Sequence, residues 1–146
     1  MEHTYLFEPA RWRAEGFYHT KAGGTAPLTG ETVLIRNDTQ WALTGFMEVA
    51  FVTPTRFENN YEIHKTNNPA QFDWVSQNPA LGTLQGAFIV LPGIITSSYT
   101  TADGVYSGSE MMMQVSETEY KMQGVMNRDG EPENWWEGRL ICDVRG

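Results

Sequence analysis

Hydrophobic side chains along this chain recur at every second position, in runs of ordinary strand length closed by turn signals. A period of two sends successive side chains to opposite faces of a strand. In residues 11–20, Trp12, Ala14, Gly16 and Tyr18 share one face, and Arg11, Arg13, Glu15, Phe17 and His19 share the other. The Trp12 face is assigned inward, because the opposite choice would bury three charges. Residues 40–53 give the clearest run: Trp41, Leu43, Gly45, Met47, Val49 and Phe51 lie together, opposite Thr44 and Glu48. Gly45 suits the bend that a long barrel strand needs. No stretch longer than a turn or two carries a helical period.

Further strands are predicted over 31–36, 61–66, 71–76, 82–91, 94–101, 105–115, 119–127 and 135–144. They are separated by turn signals such as Asn37-Asp38, Asn67-Asn68-Pro69, Pro92-Gly93, Asp103-Gly104 and Asp129-Gly130. Residues 21–30 read as a glycine-rich loop. Residues 1–9 read as an arm whose Tyr5, Leu6 and Phe7 plug or flank the fold. About ten strands at this spacing, each within reach of the next through a short connection, predict an all-β fold. The expected architecture is an antiparallel up-and-down barrel, which removes exposed sheet edges by closing. A Greek-key sandwich with a solid core is the alternative.

The length of 146 residues suits one β-barrel domain over 1–146 with enough surface to bury for a core. Five Trp, six Tyr and seven Phe supply bulky core material. A formal net charge of -8, with only ten Lys and Arg, speaks against nucleic acid and against anionic membrane surfaces. The single cysteine, Cys142, has no intramolecular partner and reads as a buried, inert thiol. With no basic and apolar leader at the start and no apolar run of membrane-helix length, a cytoplasmic protein is expected.

Chemical motifs are few. His3, His19 and His64 have no metal spacing, so no metal site is expected, and no phosphate loop, dinucleotide fingerprint or nucleophile elbow implies a cofactor. Glu62 and His64 share one side of a strand and could form an acid–base pair, although an exposed polar face explains them as well. Tyr61 and Ile63 are then the inward residues. Arg36 has two readings. With Leu34 inside, its guanidinium enters the lumen and needs a carboxylate from protein or ligand. With Val33 and Ile35 inside, the favoured register, it lies on the surface. Arg139 is expected to pair with Glu137 outside. Met111 and Met113, with Ser107 and Ser109, are assigned to the inner face, where methionines either adapt to a ligand or simply fill the core. The residues expected around a lumen ligand are Trp12, Tyr18, Arg36, Trp41, Met47, Trp74, Tyr99, Met111 and Met113.

The meander pattern, the length and the aromatic start from Trp12 to Gly16 resemble the calycin superfamily of lipocalins, fatty-acid-binding proteins and nitrobindin-like proteins. The resemblance spans most of the chain at the level of pattern and implies a ligand in the lumen. Ala10-Arg11 stands where lipocalins carry Gly-x before the Trp, and the C-terminal region has no His to hold haem. Three functions follow in order: binding of a small apolar or aromatic molecule; an interaction protein with a filled core, self-associating through the Leu6-Phe7 arm as a homodimer; and a cofactor-free lyase or isomerase using Arg36, Glu62 and His64.

Overall fold

The computed structural model describes residues 1–79 and 81–145. Among these residues ten strands form a closed antiparallel barrel, and there is no helix. The strands are β1 (Ala10–Thr20), β2 (Thr25–Arg36), β3 (Trp41–Val49), β4 (Thr55–Lys65), β5 (Gln71–Asn78), β6 (Gly82–Leu91), β7 (Ile94–Thr101), β8 (Tyr106–Ser116), β9 (Glu119–Arg128) and β10 (Glu131–Arg145). Each pairs with its neighbour in sequence, and β10 closes the barrel on β1. The up-and-down order is the one the alternation predicts.

Several boundaries differ. Residues 25–30 are strand, not loop. Ala26 and Leu28 pair with Tyr18 and Gly16 and are buried, so β1 has a partner along nearly its whole length. Residues 55–60 extend β4 against 44–49 of β3, which itself ends at Val49 rather than running to 53. β10 begins at Glu131, pairing with the end of β9. In each case a polar or glycine-containing segment is held extended by its neighbour's hydrogen bonds, a tertiary effect that outweighs local preference.

The largest correction concerns β8. Gly108 and Met112 are buried with Glu110 between them on the inner face, whereas Met113 and Val115 are 44% and 47% exposed. Met111 and Met113, expected inside, therefore face outward together with Ser107 and Ser109. The cause lies on β7, where Tyr99 pairs with Gly108. A Cβ at position 108 would lie 2.5 Å from the Tyr99 ring. The inner face must carry glycine there, and the period of two then brings Glu110 and Met112 inside with it.

The N-terminal arm closes one end of the barrel. Tyr5 and Leu6 are 4% and 1% exposed, and Phe7 packs against Trp41 and Phe72. Trp41 Nε1 donates to the Leu6 carbonyl (2.8 Å) and Arg36 donates to the Phe7 carbonyl (3.1 Å). His3 bonds the Tyr120 hydroxyl and the Leu91 carbonyl through its two ring nitrogens, both at 2.7 Å. Gln114 donates to the Glu2 carbonyl, and the Thr4 hydroxyl donates to Glu117. Leu6 is thus buried in its own barrel, and Phe7 is half-buried against Trp41 and Phe72.

Candidate functional site

Glycines on the inner face open the lumen and let aromatic rings lie across neighbouring strands. Trp74 of β5 pairs with Gly86 of β6, where a Cβ would come within 2.6 Å of the indole. The ring therefore passes over Gly86, and its Nε1 donates to Ser97 Oγ of β7 at 3.2 Å. The same device recurs on the other side. Trp136 of β10 pairs with Gly124 of β9, where a Cβ would fall 2.2 Å from the indole. Trp136 Nε1 reaches over that glycine to donate to Glu110 Oε2 of β8 at 2.9 Å. Ser97 and Glu110 are direct partners in the β7–β8 ladder. The result is a polar belt, Trp74–Ser97–Glu110–Trp136, laid across six strands of an otherwise apolar wall.

A cavity of about 200 Å³ lies against this belt. It runs from Tyr5 of the arm to Asn78 and Leu81 at the opposite end of the barrel. Aromatic faces dominate it. Tyr61 packs on Trp74 with ring centroids 4.4 Å apart, and Tyr18 is stacked on Trp136 (5.9 Å, 5° between planes) and on Phe57 (5.9 Å). Met47, Leu84, Met122, Met126 and Leu140 complete the apolar lining, with Asn59 as a further polar group.

Glu110 is half-buried and lines this cavity. Burial pushes its carboxyl above the ordinary carboxylate range, and the hydrogen bond from Trp136 offsets only part of that shift. Burial likewise raises the phenols around it. Tyr18 and Tyr99 are pushed up to about 12. Tyr5 and Tyr61 are also raised, first by burial and then by the Glu110 charge. Among the described residues no group of three or more His, Cys, Asp or Glu is placed to hold a metal ion.

Four of the residues expected around a ligand line the cavity: Tyr18, Met47, Trp74 and Tyr99. Trp12 does not. It is 1% exposed beneath the arm, edge-on to Tyr5 and Tyr120. Trp41 packs against the arm through Phe7. Arg36 is on the inner face, contrary to the favoured register, because Leu34 is 2% exposed and shares its side. Its guanidinium lies 4.4 Å from the Trp41 ring centroid at the arm end, away from the cavity. Met111 and Met113 lie outside. Glu62 and His64 point outward, 3.9 Å apart and exposed, so the set Arg36, Glu62 and His64 does not converge. Arg139 pairs with Glu15 (2.6 Å) and Glu119 (3.7 Å) rather than Glu137, which instead meets His19 at 2.8 Å.

Sequence reasoning missed Glu110 and Ser97, and left Trp136 and the inward-facing Tyr61 out of the set expected around a ligand. A lone acid on an inner face runs against the usual exclusion of unpaired charge from interiors. The signal that could have found it is the matching of inward aromatics with glycines on the next strand: Trp74 with Gly86, Tyr99 with Gly108, Trp136 with Gly124.

No protein-family model matches the chain, and no curated protein matches it. Among solved structures, Rv2717c from M. tuberculosis is similar, with 14% identity and a TM-score of 0.64 over 93% of this chain and 92% of that one. A protein described as an AttH from Nitrosomonas europaea matches 93% of this chain and 50% of its own length, with 9% identity and a TM-score of 0.34. At such identities the first likeness speaks for the fold alone, and the second carries no argument.

Proposed function

We propose that this barrel binds a small, largely aromatic or apolar molecule in its lumen and acts as a carrier or sensor. The observation that carries the reading is the cavity with its polar belt: apolar walls interrupted by a few convergent polar groups, which is the composition of small-molecule sites. Its size sets the class of ligand. A dry engineered cavity of about 150 Å³ takes up benzene, so the cavity of about 200 Å³ suits a molecule of one or two rings. An interaction protein with a filled core is the weaker reading, because the lumen is not filled.

Native mass spectrometry of the protein from its own source, with a denatured control, tests the proposal. The expected result is a reproducible added mass that disappears on denaturation. Thermal unfolding against one- and two-ring aromatic compounds is the second arm. A ligand at a hundred times its Kd stabilises by about 2.7 kcal/mol. A mass equal to the bare chain, together with no stabilisation by any compound, overturns the reading.

A further inference from the structure

We propose that the lumen selects an organic cation: a protonated amine on an aromatic or apolar body of one or two rings, with Glu110 as its counter-ion. The inference rests on the lumen-binding reading above and adds the charge of the ligand.

The first argument is the charge on the wall. Glu110 is the acid that faces the cavity. Glu31, the other acid beside it, belongs to an outer-face pair with Arg11 at 3.8 Å. No Lys, Arg or His is among the described residues that line the cavity. Arg36, the cation on the inner face, is engaged at the arm end by the Phe7 carbonyl and the Trp41 ring. A buried carboxylate without a cationic partner is costly, and none of the described residues lining the cavity could serve as one. A ligand ammonium would.

The second argument is valence. Trp136 Nε1 occupies Oε2 of Glu110. Among the described residues no hydrogen bond to Oε1 is found, and Glu110 is part of the cavity lining. Charge-assisted N⁺–H···O⁻ bonds are about twice as strong as neutral ones, so this oxygen is where an ammonium would gain most.

The third argument is the aromatic box. Trp136, Tyr18, Tyr61, Trp74 and Tyr99 line the same cavity as Glu110, and the negative faces of such rings attract cations. The stack of Tyr18 on Trp136 and the tilted contact of Tyr61 with Trp74 hold these rings in place before a ligand arrives. The protein's net charge of -8 raises the local concentration of cations around it.

The rival arrangement is a protonated Glu110 donating to a neutral ligand's oxygen. The two differ in what a Gln at this position would do. Glutamine keeps the shape and both hydrogen-bonding functions but cannot neutralise an ammonium. They also differ in pH response. The titratable groups facing Glu110 are phenols, Tyr5 from the arm, Tyr61 from β4 and Tyr99 from β7, and all are raised. They stay neutral through the range in which a carboxyl titrates, and Glu31, the other carboxyl in the lining, pairs with Arg11 in wild type and variant alike, so the difference in pH response between wild type and Glu110→Gln is that of Glu110.

The test is isothermal titration calorimetry of the full chain with 1-naphthylmethylamine and its neutral counterpart 1-naphthylmethanol, on the wild type and on Glu110→Gln. The expected result is that the wild type prefers the amine by about tenfold or more, a difference of about 1.4 kcal/mol. The preference disappears in Glu110→Gln while the alcohol's affinity is retained, and it fades in the wild type as pH falls through the Glu110 titration. Equal affinity for the two probes in the wild type overturns the cation inference and leaves lumen binding standing. A preference for the amine that survives in Glu110→Gln also overturns it, because the cation then sits elsewhere. Binding of neither probe overturns the cation inference, and removes the lumen reading along with it only if the native mass is also that of the bare chain. A cooperative unfolding transition of Glu110→Gln, at least as stable as wild type at the pH of the titration, shows that the comparison is made on folded protein.

Discussion

Replacing Glu110 by Gln removes a charge while preserving shape and the acceptor that Trp136 Nε1 uses at 2.9 Å. Its effect on stability therefore isolates the burial of the carboxylate. In the unfolded chain the carboxyl titrates at its ordinary value of 4.5, and in the barrel burial raises it. Below 4.5 both states hold the proton and no stability is lost. As pH rises through the window between the unfolded and the folded values, the unfolded state releases its proton first. Stability then falls by about 1.4 kcal/mol for each pH unit of that window and levels off above it. Glu110→Gln has no such loss. The stability difference between variant and wild type should be smallest near pH 4 and grow in the variant's favour toward pH 8, and its plateau reports the size of the shift, at about 1.4 kcal/mol per unit. Other groups cancel in this difference. Glu15, lowered by its bond from Arg139, and Asp103, lowered by its bond from Thr101, act with the opposite sign but are common to both proteins. Urea unfolding of both proteins across this range, with ΔG extrapolated to water, is the assay. A difference that stays constant with pH, or that shrinks as pH rises, would refute the buried-carboxylate argument.

Further outcomes follow from the packing. Gly124→Ala places a Cβ 2.2 Å from the Trp136 indole, so the ring must leave Glu110; we expect a loss of about 1–3 kcal/mol in urea unfolding and a changed near-UV spectrum. Leu6→Ala should cost about 2–5 kcal/mol because Leu6 is 1% exposed; a loss under about 0.5 kcal/mol would mean that the arm does not hold the barrel closed in solution. Met113→Lys should stay within about 0.5 kcal/mol of wild type, whereas Met112→Lys should prevent folding, since Met112 is 1% and Met113 44% exposed. The reverse order in a solubility and unfolding comparison would put β8 in the other register.

How far the chain could be read depended on the strand. In β1 and β3 the two faces differ in kind: three charges oppose Trp12, Ala14 and Tyr18, and Glu48 opposes Met47 and Val49. Burial of the wrong face would cost several kcal/mol per charge, so the inward set is legible. In β8 the faces are nearly balanced. Met111 and Met113 offer as much apolar surface as Met112, and Glu110 weighs against the face that is in fact buried. The decision came from Tyr99, whose ring needs a glycine opposite, and no property of 105–115 taken alone contains that fact. Arg36 is a similar case. Leu34 and Ile35 are equivalent as hydrophobes, and pairing with Ala10 of β1 and Leu43 of β3 placed Leu34 inside.

Sequence by itself determined the class of fold: alternation of period two, turn residues between the runs and connections too short for crossovers leave an antiparallel meander, and a meander of this many strands closes. It also determined that aromatic side chains would fill the interior, because so many cannot all be exposed. The tertiary structure alone decided the parity of β8, the place of the arm and the existence of the site. Each depends on what stands opposite across a ladder. A glycine is only an absence of side chain until Trp136 from the next strand lies over it, and Glu110 reads as a surface charge until the Tyr99–Gly108 pairing turns it inward. Register relations between strands are non-local, so they become physical facts only when the barrel has closed.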